Sequence, residues 1–194
     1  MGETALPDGY VRVPVITTYL EMRRPVAPAG PPVTPEGFAV DRWERPPLDG
    51  YREMFRAVGG PWGWTGRLLL RDDELADVTG DGRVEIWRLT QAGGLAGFIE
   101  LDCRTAGEVE IAYFGLRPEF IGRGLGGFML RWAVSHVWSM PGVERFWLHT
   151  CDYDHPGALR AYERAGFRVY DRRTGLEAYP AEHVARVQAE RPGG

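Results

Sequence analysis

The chain has 194 residues, 44% of them hydrophobic and 12% aromatic, which suits one packed domain rather than a disordered segment. A formal net charge of -4 gives no general attraction to phosphate-rich partners, so neither nucleic acid nor a membrane surface is expected. All 23 basic residues are arginine, which excludes a Schiff-base lysine, and the widely separated Cys103 and Cys151 exclude a disulfide framework. No basic segment followed by an apolar run opens the chain, so a cytoplasmic protein without a signal peptide is expected.

Residues 10–22, rich in Val, Ile, Thr and Tyr, read as a strand. Residues 23–47 carry Pro25, Pro28, Pro31, Pro32, Pro35, Pro46 and Pro47, each fixing φ and withdrawing a backbone donor. They predict an extended connector with neither helix nor sheet. A helix is expected over 48–58, stopped by Gly59-Gly60-Pro61. After a turn holding Trp62 and Trp64 comes a short helix near 72–77. Strands follow at 84–89 and 95–102 about a Gln91-Ala92-Gly93-Gly94 turn, then at 109–116.

The period then changes. Leu125, Phe128, Met129, Trp132, Ala133, His136 and Val137 recur at helical spacing, giving one apolar stripe that places His136 in the core. Pro141-Gly142 ends that helix. A strand over 145–150, a helix over 156–165 and a closing strand over 167–170 complete the pattern. Strands first, then a β–α–β–α–β run, predict an α/β or α+β sheet covered by helices.

Between the 109–116 strand and the amphipathic helix lies Leu116-Arg117-Pro118-Glu119-Phe120-Ile121-Gly122-Arg123-Gly124-Leu125-Gly126-Gly127. Glycines there let the backbone approach a ligand closely, and unpaired N–H groups at a helix start favour an anion such as a pyrophosphate. A P-loop is excluded because it requires a lysine. The dinucleotide fingerprint is met literally by Gly122, Gly124 and Gly127. It belongs, however, in a first β–α unit with an acid about 20 residues on, and here the loop follows several strands.

This loop, followed by His155-Pro156-Gly157-Ala158-Leu159-Arg160-Ala161-Tyr162-Glu163-Arg164-Ala165-Gly166-Phe167, resembles the GNAT superfamily of acetyl-CoA-dependent N-acetyltransferases. The resemblance covers roughly 83–170, the expected acetyl-CoA-binding core of a single domain spanning 1–194. It implies a mixed, splayed β-sheet with helices on both faces, and acetyl transfer from acetyl-CoA to a primary amine on a small molecule or peptide. By that resemblance Phe114, Gly115, Leu116, Ile121, Gly122, Arg123, Gly124, Leu125 and Gly126 hold the cofactor, with Tyr162 as the acid that protonates the departing thiolate.

Two positions depart from the family pattern. Ile121 stands where Arg or Gln is usual, and His155 where Asn is usual; His155 is expected beside the pantetheine arm. The resemblance makes Glu110 the base, acting directly or through water. Strand alternation puts it on one face with Ala112, Phe114 and Leu116. Phe55, Trp62 and Trp64 are expected to wall the acceptor pocket. No metal is expected, since His149, Asp152, Asp154 and His155 have no established ligand spacing. Many relatives dimerise, which leaves a homodimer open. Two rivals also stay open: a non-catalytic acyl-CoA-binding module of the same fold, and an enzyme using a longer acyl-CoA.

Overall fold

The computed structural model describes residues 6–23 and 30–190. Pro25 and Pro28 of the expected connector, and both chain ends, lie outside the described residues. Seven strands form one sheet: β1 (Tyr10–Met22), β2 (Phe38–Arg42), β3 (Val84–Gln91), β4 (Gly94–Asp102), β5 (Glu108–Leu116), β6 (Arg145–Cys151) and β7 (Arg168–Pro180). Their order is β2-β3-β4-β5-β6-β1-β7. Every pairing is antiparallel except β5 with β6, so the sheet is mixed.

Helices cover both faces. On one face α3 (Leu125–Ser139) and α4 (Ala158–Ala165) close a core with Ile99, Leu101, Val109, Ile111 and Phe146. The buried part of the α3 stripe is Leu125, Phe128, Met129, Ala133 and Val137. His136 does not join them. Only partly buried, it stacks on Trp132 with ring centroids 5.0 Å apart, and its Nε2 lies 2.7 Å from Glu85. An imidazole so placed keeps a polar partner at the rim of the core, which a fully apolar site would deny it.

On the other face α1 (Leu48–Gly59) and α2 (Asp72–Gly80) pack on Ile86 and Phe98. In α1 the buried Tyr51, Met54, Phe55 and Val58 fall at i, i+3, i+4 and i+7, one helical stripe. A third cluster joins Val13 and Val15 of β1 to Tyr153, Tyr179 and Val184, the last from α5 (Ala181–Glu190).

Two elements differ from the sequence reading. The connector contains β2, which pairs with β3 from Phe38↔Gln91 to Arg42↔Trp87. Its prolines flank the strand rather than interrupt it, and an edge position tolerates them. Phe38 and Val40 alternate inward onto the α3 side, with Phe38 edge-on to Phe120 at 6.2 Å. The closing strand runs to Pro180 instead of 170, because β1 offers it a partner along nearly its whole length.

Glu100 on β4 is completely buried. The Tyr51 hydroxyl donates to it at 2.5 Å, and the Arg67 guanidinium reaches its other oxygen through Nε at 3.2 Å and Nη2 at 2.6 Å. A buried carboxylate persists only when its lone pairs are filled in this way. Arg67→Met removes the compensating charge and is expected to destabilise the fold by about 3–5 kcal/mol in urea unfolding. A loss below about 1 kcal/mol would mean that Glu100 is solvated instead.

Candidate functional site

β5 and β6 pair from Glu108↔Arg145 to Ile111↔Leu148 and then part, β5 continuing to Leu116 and β6 to Cys151. The separation begins at a β-bulge. Tyr113 sits opposite Glu100 and Ile111 opposite Leu101, which leaves Ala112 as the extra residue.

An extra residue shifts the parity of everything beyond it. Ile111, Phe114 and Leu116 therefore belong to the α3 side, while Tyr113 packs with α1. The expected common face for Glu110, Ala112, Phe114 and Leu116 is thereby corrected: Glu110 shares its side with Tyr113 and not with Phe114. Its carboxylate turns to His149, with Oε1 3.2 Å from Nδ1.

A cleft of about 630 Å³ opens where the strands part. Ile111 through Leu116, the loop glycines, the start of α4, the 62–66 turn and the end of β7 line it. At Gly122 and Gly124 φ is +81° and +78°, and an ideal Cβ at either would meet no atom within 4 Å. Neither glycine is required by packing; the loop's path requires both.

Gly124 is the N-cap of α3 and no side chain caps that end. The first-turn N–H groups of a 15-residue helix are thus left to a ligand, aligned with the positive end of its dipole. A phosphate-bearing ligand fits this donor set. Arg123 adds no wall: its guanidinium lies over the Phe120 ring at 5.3 Å. Leu125 is buried in the core, so its side chain contributes packing alone.

Tyr162 lines the cleft and also packs against Phe114 and Phe167, with centroids 6.3 and 6.4 Å away. Burial, with the charge of Asp154 adding to it, pushes its hydroxyl well above the ordinary phenol range, so the group keeps its proton. His155 accepts the Gly157 N–H at Nδ1, 2.8 Å, and meets Trp62 edge-on at 4.9 Å. That bond assigns the proton of the neutral ring to Nε2.

Trp62 and Trp64 are both on the wall. The Trp64 indole donates to Asp154 at 3.1 Å, tying the 62–66 turn to the loop before α4. Phe55 is not on the wall. It is fully buried, with Trp64 and Tyr113 packed against it at 5.6 and 4.7 Å, so its expected place in the acceptor pocket becomes a core position behind those rings.

The sequence reading passed over several wall residues. Tyr113 was hidden by the bulge parity, and Glu177 and Tyr179 by the short estimate of β7. Their only local signal is the alternation of Glu177 and Tyr179 before the helix start at Pro180-Ala181-Glu182. His149, Asp154 and Cys151 also line the cleft. Among the described residues no group of His, Cys, Asp and Glu side chains converges to hold a metal.

Solved structures share this fold. The chain is 25% identical to a GCN5-related N-acetyltransferase from Sphaerobacter thermophilus, covering 89% of this chain and 53% of that one at a TM-score of 0.60. It is 17% identical to a GCN5-related N-acetyltransferase from Kribbella flavida, covering 92% and 63% at 0.57. A tandem GNAT protein from the clavulanic acid biosynthesis pathway aligns at 19% identity, 87% and 53% coverage and 0.56. The chain thus spans about half to two thirds of the length of these proteins. No curated protein compared with it matches in sequence. The model of the acetyltransferase (GNAT) family matches residues 49–167, more than half of the chain, and the protein belongs to that family.

Proposed function

We propose that this protein moves an acetyl group from acetyl-CoA to a primary amine, on a small molecule or a peptide, by direct attack of the amine on the thioester. One observation carries the reading. An uncapped helix start, a strand freed from its neighbour and a buried tyrosine hydroxyl meet in one cleft.

Bound acetyl-CoA supplies an activated carbonyl and a thiolate leaving group. Gly122, Gly124 and Gly126, with the first-turn amides of α3, would hold its pyrophosphate, Ile121 and Leu125 flanking them and Arg123 adding charge nearby. Beyond Ile111 β5 has no β6 partner, so backbone groups from Phe114 through Gly115 to Leu116 are available to pair with an extended arm as an added strand would. His155 lines the same cleft. Tyr162 gives its proton to the departing sulfur. Trp62 and Trp64 wall the acceptor side, where a base takes the acceptor's own proton.

Direct attack is favoured over an acyl-cysteine. Burial, reinforced by Asp154, pushes the Cys151 thiol up to about 12, and burial pushes Cys103 up to about 11. A thiol so protonated is a poor nucleophile at neutral pH. Two free cysteines are also compatible with a reducing, cytoplasmic setting.

Thiol release from acetyl-CoA, followed over a panel of primary amines, tests the function. Sustained release with at least one amine is expected. Tight acetyl-CoA binding with no release for any amine would reduce the protein to a binding module.

Three variants or reagents probe its parts. Gly126→Val places a branched side chain over Phe114 and Leu116, from which an ideal Cβ is already only 3.9 and 3.8 Å away. Acetyl-CoA affinity should fall by roughly tenfold or more in calorimetry; an unchanged value removes the pyrophosphate cradle. Tyr162→Phe should lower kcat by about 10²-fold and leave acetyl-CoA affinity nearly unchanged. A variant as active as the parent from about pH 6 to 9 assigns the proton to water. Iodoacetamide at pH 8 should label both cysteines of the native protein at least about a hundredfold more slowly than it labels glutathione.

A further inference from the structure

His149 is the first residue of β6 beyond the last rung shared with β5, at the apex of the cleft. Its side chain is 45% exposed, and Glu110, paired with Trp147 two residues earlier and on the same side of the sheet, holds its Nδ1 at 3.2 Å. Glu110 itself is not among the residues that line the cleft. A carboxylate on Nδ1 fixes the proton of the neutral ring there, which leaves Nε2 with a free lone pair. The Tyr19 ring, 5.8 Å away, braces the imidazole from the β1 side.

The other acidic groups of the cleft are less suited to take a proton. Both Asp154 oxygens are occupied, Oδ1 by the Trp64 indole and Oδ2 by the Thr150 hydroxyl and the Cys151 N–H. Glu177 stands exposed on the edge strand and receives the Tyr179 hydroxyl at 3.3 Å.

We propose that His149 is the base that touches the acceptor, and that Glu110 is a positioning residue acting through it. This rests on the acyl-transfer reading above and changes which group meets the amine. In the step, the Nε2 lone pair takes one proton from the acceptor's ammonium. The N–H bonding pair stays on nitrogen as the nucleophilic lone pair, and the ring becomes an imidazolium facing Glu110. That lone pair then forms the bond to the thioester carbonyl carbon. The C–S bond breaks, its electrons leave on sulfur, and the sulfur receives the Tyr162 proton. The second proton of the former amine, acidic once its nitrogen bonds the carbonyl, leaves through solvent, which reprotonates Tyr162. The imidazolium returns its own proton to solvent, which resets the base.

The pH dependence follows from the surroundings. The bond to Glu110, followed by the charges of Glu110, Asp154 and Glu177, raises the His149 pKa above its ordinary value, while burial opposes that rise. The active, neutral form therefore appears as pH climbs through the raised value, which sets the acidic limb of the rate. Glu110→Gln withdraws the nearest charge, so the limb moves to lower pH and the maximal rate is largely kept. A Glu110 that met the amine itself would give the opposite result: a deep loss of kcat and no limb to move.

The experiment measures kcat/KM from about pH 5 to 9 for the parent, His149→Gln, Glu110→Gln and Glu177→Gln, with acetyl-CoA and the best amine of the panel. Imidazole titration by NMR runs beside it on the parent and Glu110→Gln. Expected are a loss of about 10²-fold at pH 7.5 in His149→Gln, a few-fold at most in Glu110→Gln, and a lowered His149 pKa in the latter. His149→Gln with parental rates sinks this inference alone, as does a limb that survives in it and vanishes in Glu177→Gln. So does a His149 pKa that ignores Glu110→Gln. A parent that releases no thiol with any amine sinks the proposed function and this inference together.

Discussion

The parting of β5 and β6 beyond Ile111 and Leu148 is the constraint on which the site depends. Two parallel strands that stayed paired would fill their mutual donors and acceptors and leave no room between them. The bulge at Ala112 ends the pairing at a defined rung and, by the same extra residue, reverses the side to which each later side chain points. One insertion thus frees a strand edge, sends Phe114 and Leu116 toward the loop and α4, and turns Tyr113 toward α1. Glu110, before the bulge, stays on the side of β6 that carries Trp147 and His149.

A gap in a sheet is stable only if its two flanks are held independently. The β5 flank rests on the buried Glu100–Tyr51–Arg67 network and on the rings of Phe55, Trp64 and Tyr113, which pack between α1 and the strand. The β6 flank is held by β1, paired from Thr17↔Cys151 to Met22↔Phe146. Asp154 joins the flanks across the cleft, since it accepts from Trp64 on one side and from Thr150 and Cys151 on the other. No helix of the described residues is long and apolar enough to cross a membrane, and the amphipathic stripes are consumed by these two packed faces.

What could be read in the sequence was whatever depends on local chemistry. The glycine loop, the stripe of α3 and the strand at 109–116 are set by residues within a dozen positions of one another, and all three stand where expected, His136 of the stripe excepted. Features that depend on a distant partner were not legible. β2 exists because β3 offers an edge, and β7 extends because β1 runs beside it. Phe55 has the same helical spacing whether it faces a pocket or a core; Trp64 and Tyr113 in front of it decide the matter. Alternation failed for Glu110 because it assumes an unbroken period of two, and Ala112 carries no mark that distinguishes it from a paired residue.

His149 and Tyr162 both hold their protons more tightly than the free side chains, for different physical reasons. Tyr162 does so because burial disfavours the phenolate, with Asp154 adding repulsion. His149 does so because Glu110 stabilises the imidazolium, and burial works against that effect. Lost solvation thus holds the proton on one group, whereas an opposed charge favours it on the other. Under the proposed chemistry these are the two states required, an acid for the sulfur and a base for the amine. The bulge supports the division, because it puts Phe114, against which Tyr162 packs, on one side of the strand and leaves Glu110 on the other. Separation by the strand lets Glu110 tune the imidazole without facing Tyr162 directly, so one cleft can keep an acid and a base distinct.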